Sequence, residues 1–155
     1  MKLRTLWMTV LMIVGMTFSS HATAWSDTGL PGNLPSGWSI AENEESKIPS
    51  YGVSISGDPD FDGLIFIVPP SEIEGSLRSM VNDLAQGNDG VKRKRISQQY
   101  GETIVEMVEV QKGLYFSFAE YKGQVYGFYM MNQKTKMGET YQDQLFRHAF
   151  GKRGK

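Results

Sequence analysis

Asp58-Pro59-Asp60-Phe61-Asp62-Gly63 sets three carboxylates at alternate positions ahead of a glycine. Hard oxygens so spaced can converge on one divalent cation while the glycine makes the turn, as in the opening half of a calcium loop. The closing half departs from that pattern. Phe66 stands at the ninth position and Pro69 at the twelfth, where a bidentate Glu is expected, and Glu72 comes three residues later. Pro59 also restricts the backbone. Two readings follow: a weak, extracellular-class calcium site through Asp58, Asp60 and Asp62, or a solvated acidic turn between two strands.

Lys92-Arg93-Lys94-Arg95 is the second feature with chemical content, with Arg147, Lys152, Arg153 and Lys155 as further bases. On a strand these charges suit an exposed edge guarded against aggregation. They also suit a patch for an anionic partner, such as lipid head groups or an acidic protein. The aromatic and methionine band Tyr115, Phe116, Phe118, Tyr121, Tyr126, Phe128, Tyr129, Met130 and Met131 is expected to be core for the most part, with its tyrosines as an alternative contact surface.

The catalytic inventory is thin. There is no cysteine, which excludes thiol catalysis and cysteine-ligated metal sites. No G-x-S-x-G, H-E-x-x-H, P-loop or G-x-G-x-x-G is present. Seventeen acids leave a hydrolytic carboxylate pair open without singling one out. A net charge of −1 argues against a nucleic-acid binder.

These residues need elements to hold them. Residues 1–24 read as a secretory signal peptide: Lys2 and Arg4, an apolar stretch from Leu6 to Phe18, and the small-x-small site Ala22-Thr23-Ala24, with cleavage before Trp25. Removing 24 of the 155 residues leaves 131, with 14 bases against 17 acids. Periplasmic or secreted localisation follows, and the absence of cysteine leaves the fold to its core alone.

Residues 25–37 read as a flexible lead-in rich in Gly, Pro and Ser. Residues 38–150 read as one α+β domain: an antiparallel sheet of about six strands with two packed helices. Trp38 opens a short strand. Tyr51, Val53 and Ile55 alternate, and Leu64 to Val68 is an apolar run buried on both faces. Ser71 and Glu74 form a capping box for a helix with its stripe at Ile73, Leu77, Met80, Val81 and Leu84, and Gly87 is its C-cap. Val91 to Gln98 is a strand. Thr103 to Gln111 is another, whose parity slip suggests a bulge near Met107. Lys112-Gly113 and Lys122-Gly123 are hairpin turns. Thr140 and Asp143 cap a final helix, and residues 151–155 are a frayed basic tail.

This layout resembles the PsbP-like fold family. The residues that carry the resemblance are the lead-in Leu34-Pro35-Ser36-Gly37-Trp38 and the C-terminal Phe146-Arg147-His148-Ala149-Phe150, together with the order strands, helix, meander, helix over residues 34–150. The resemblance implies a non-enzymatic assembly factor, accessory subunit or envelope protein, with no site residue to carry over; apart from the calcium reading, no cofactor is expected. The expected function is that of an exported, non-catalytic binding or accessory protein of the bacterial cell envelope. Its expected partner is an envelope protein, a small ligand or an anionic membrane surface.

Overall fold

The computed structural model describes residues 22–73, 75–87 and 91–155. Residues 1–21, which hold most of the predicted signal peptide, and Glu74 of the predicted capping box lie outside the described residues. In chain order the strands are β1 (Ala22–Thr23), β2 (Trp38–Glu42), β3 (Ser50–Ile55), β4 (Phe61–Val68), β5 (Arg95–Tyr100), β6 (Thr103–Gln111), β7 (Leu114–Tyr121) and β8 (Gln124–Asn132). The helices are α1 (Leu77–Gln86) and α2 (Glu139–Ala149). The fold is α+β and forms a single domain. Among the described residues seven full strands stand where the sequence predicts about six, and Ala22–Thr23 adds a short eighth.

The sheet order is β1-β2-β3-β4-β8-β7-β6-β5, antiparallel throughout. Two meanders of sequential strands therefore meet at one seam, the β4–β8 ladder from Phe61↔Asn132 to Val68↔Val125. Both faces near the seam are buried. Leu64, Phe66, Val68, Val125, Phe116, Phe118 and Val108 face α1 through Met80, Val81 and Leu84. Ile65, Tyr126, Phe128, Met130, Val105 and Ala119 face α2 through Leu145 and Phe146. This two-sided burial makes β4 and β8 almost continuously apolar, whereas β2 and β3 alternate because only one of their faces is covered.

The lead-in joins the α2-side layer. Leu30 is buried there, Thr28 is buried too, and Trp25 and Leu34 pack against the same cluster. The Tyr126 hydroxyl donates to the Thr28 carbonyl at 2.8 Å, and the Asn33 N–H donates to the His148 carbonyl at 3.2 Å.

Several local expectations change. The first helix starts a turn later than its predicted cap. Pro70–Glu72 forms a 3₁₀ turn, Gly75 has φ +78°, and Ser76 caps α1 by accepting the Ser79 N–H at 3.1 Å. The left-handed glycine breaks the helix, so Ile73 packs on the core from an extended segment. The apparent parity slip in β6 is two-sided burial. Val105 and Met107 face the α2 layer, Val108 and Val110 face the α1 layer, and the irregularity falls at Glu109–Gln111 rather than Met107. Thr140 and Asp143 do not cap α2. Gly138 stands at its N-cap without a side-chain bond.

Gly127 marks the tightest packing of the seam. A Cβ there would overlap the Phe66 ring, which is fully buried. Gly127→Ala is expected to destabilise the fold by about 1–3 kcal/mol through overpacking. Urea denaturation of the variant and its parent measures this directly.

Candidate functional site

The acidic turn is dismembered by the fold. Asp58 accepts the Tyr141 hydroxyl at 2.8 Å, and Asp60 pairs with the Lys134 ammonium at 3.0 Å. Asp62 is no longer in the turn; it lies on β4 opposite Met131. Gly63, predicted as a turn residue, is also a strand residue. It is glycine because a Cβ would press on the Phe61 ring and on Val53, not because the chain turns. Burial pushes the Asp62 carboxyl above its ordinary range, against hydrogen bonds from the Gln133 side chain and the Gly63 backbone. The three carboxylates thus hold three different partners. Among the described residues no group of three His, Asp or Glu stands together to hold a metal ion. The turn acts as a clasp, since the Gln133 N–H also donates to the Asp60 carbonyl at 2.7 Å.

The basic run lies at the outer edge of the sheet. Lys92, Arg93 and Lys94 precede β5 rather than belonging to it. Backbone bonds from Arg93 N–H to Ala85 O and from Glu109 N–H to Lys94 O tie this approach to α1 and β6. Lys92 and Lys94 are exposed. Arg95 opens β5, and its Nη1 stands 3.9 Å from Oε2 of the buried Glu106, which also accepts the Ser97 hydroxyl. The run is therefore divided: Arg95 serves a buried carboxylate, while Lys92 and Lys94 remain presented outward.

The opposite end of β5 carries the C-terminal tail. Expected to fray, residues 152–154 instead add to the strand edge. Tyr100 bridges Arg153, the Gly101 N–H donates to the Lys152 carbonyl at 2.8 Å, and the Gly154 N–H donates to the Gln99 carbonyl at 2.7 Å. The Gln98 amide adds a bond to the Gly154 carbonyl at 3.0 Å. Gly101, at φ +57°, permits this approach, because a Cβ would overlap the Phe150 carbonyl oxygen. Phe146 secures the base of the tail, with ring centroids 5.4 Å from Tyr100 and 4.9 Å from Phe128.

Between this edge and α2 lies a small cleft lined by Ile96, Tyr100, Met107, Tyr115, Asp143 and Arg153. Its free space is about 30 Å³, room for one or two waters. Asp143 is its charged centre. It accepts the Tyr100 hydroxyl at 2.7 Å, Arg147 Nε at 2.8 Å and Arg153 Nη1 at 3.3 Å. Burial pushes the Asp143 carboxyl up, but the Tyr100 hydroxyl and the two guanidinium groups outweigh it and hold it below its ordinary range. Burial and the Asp143 carboxylate raise Tyr100, and burial and Glu109 push Tyr115 up to about 12. A carboxylate so paired holds no proton near neutrality and suits a structural tie better than a general acid.

Sequence reasoning reached Lys92–Arg95 and the acidic turn but missed the tie of Tyr100, Asp143 and Arg153. These residues lie 43 and 10 positions apart in the chain. The available signal was the glycine pair at 151 and 154, which marks a bent tail rather than an unravelled one. Comparison with known proteins finds no matching family, no matching curated protein and no matching solved structure.

The Asp143 tie has a pH signature. A carboxyl held below its ordinary range contributes its full stability above the unfolded-state value and loses it as pH falls through the lowered one. Asp143→Asn is expected to cost about 1–2 kcal/mol at neutral pH. The gap between variant and parent should close in acid, where the parent carboxyl is itself protonated. Melting temperatures of both proteins across an acid-to-neutral series check this.

Proposed function

We propose that the chain is an exported, non-catalytic binding or accessory protein of a bacterial cell envelope. It meets an anionic partner surface along the basic edge of β5. The observation that carries the export half is the N-terminal order of bases, apolar stretch and Ala22-Thr23-Ala24. The binding half is supported by the exposed Lys92 and Lys94 at one end of that edge and the exposed Lys152 and Lys155 at the other. The PsbP-like resemblance points the same way, at the level of element order alone.

Two measurements test the halves separately. The full gene product, expressed in a secreting bacterium, is expected in the periplasmic fraction with a mass corresponding to residues 25–155. A cytosolic chain with an intact N-terminus overturns export. The purified protein is expected to co-sediment with vesicles rich in phosphatidylglycerol and not with phosphatidylcholine vesicles, and to release with rising salt. Lys92→Glu combined with Lys94→Glu should weaken this binding by more than about tenfold, given about 1 kcal/mol per basic residue near such a surface. Equal binding by the double variant removes the basic edge from the reading.

A further inference from the structure

The two edges of the sheet are guarded in different ways. The β5 edge carries residues 152–154 and the basic approach, both parts of the folded domain. Among the described residues the β2 edge carries only β1. Ala22 pairs with Ala41 and Thr23 with Ile40, and the Thr23 hydroxyl oxygen accepts the Glu42 N–H at 3.0 Å. On β2 the flanking bonds to β3 run through Gly37 and Asn43, so Ser39 and Ala41 address β3 while Ile40 and Glu42 address the outside. The structure therefore shows a strand seated on this edge. The predicted signal-peptide cleavage, before Trp25, falls just after it.

We infer that processing removes β1 and opens the β2 edge as a docking strand for an extended, basic segment of a partner protein, which pairs antiparallel in the place of Ala22 and Thr23. This rests on the signal-peptide reading above. The backbone supplies the affinity, as in other strand-addition contacts. Charge supplies the selectivity. In the β1 register the position before the residue opposite Ala41 lies opposite Glu42, and exposed Glu44 and Glu45 continue the acidic run beyond it. A lysine or arginine of the incoming segment at that position stands opposite the Glu42 carboxylate. The edge carries no lysine or proline of its own to discourage pairing, unlike the approach to β5. Its one guard among the described residues is β1, a segment that cleavage before Trp25 removes.

The experiment uses the full gene product in two forms: processed chain from a secreting bacterium and unprocessed chain made without export. The probe is a fluorescent peptide of residues 19–24 with lysine in place of His21, beside a counterpart with glutamate there. The lysine peptide is expected to bind the processed form, at least tenfold more tightly than the glutamate peptide, and not to bind the unprocessed form. Glu42→Pro removes an outward N–H without touching the β3 ladder and should abolish binding at an unchanged melting temperature. Should that variant misfold, Glu42→Lys should reverse the preference between the two peptides. Equal binding to both forms, equal binding of both peptides, or no binding to a processed chain beginning at Trp25 overturns the docking proposal. An exported chain that retains residues 22–24 overturns the signal-peptide reading instead, and its mass distinguishes the two failures.

Discussion

Everything in this fold depends on covering both faces of one seam. The β4–β8 ladder is apolar on either side, with Phe66 on one face and Phe128 on the other, both fully buried. A sheet in that state cannot rest on a single helix layer. The chain meets the requirement by sending α1 to one face and α2 with the lead-in to the other. Without a cysteine, no covalent link can stand in for either cover. The polar ties serve the same end. The Asp58–Tyr141 and Asp143–Tyr100 bonds fasten the N-terminal half of α2 to the β3–β4 turn and to β5, and Gln142 between them bonds the Tyr115 carbonyl and Ser117 from within the core.

Legibility in the sequence followed burial. Where a strand has one wet face, as in β2 and β3, alternation alone sets its register. Where both faces are dry, as in Leu64 to Val68, the apolar run and its Pro69-Pro70 stop define the strand but hide which side chain faces which layer. That is why the parity of β6 resembled a bulge at Met107. The hairpin turns were legible for a local reason. Lys122 and Gly123 both take positive φ, +49° and +79°, as a two-residue primed turn requires.

The candidate sites were legible as residue types but not as neighbourhoods. The spacing of Asp58, Asp60 and Asp62 carries no information about Tyr141, Lys134 and Gln133, which answer them from about 70 to 80 positions away. Likewise, the basic character of residues 92–95 is plain in the chain, while the diversion of Arg95 to Glu106 depends on which strand comes to lie beside β5. A capping box illustrates the converse. Ser71 with Glu74 and Ser76 with Ser79 are competing local starts, and the left-handed Gly75 decides between them.

The strand order also governs how the chain must assemble in time. From β5 to β8 every pairing is between sequence neighbours joined by tight turns, so that half can zip up through local contacts. The β4–β8 seam is different, because it closes a loop of roughly 60–70 residues and carries a loop-closure entropy that no hairpin meets. Long-range pairing of this kind is the slow event in comparable small domains. Until β4 arrives, the outer edge of β8, with Tyr126, Phe128 and Met130 on its flank, stands open to water. Pairing from β1 to β4 is equally sequential, so each meander can form through local contacts before the seam joins them.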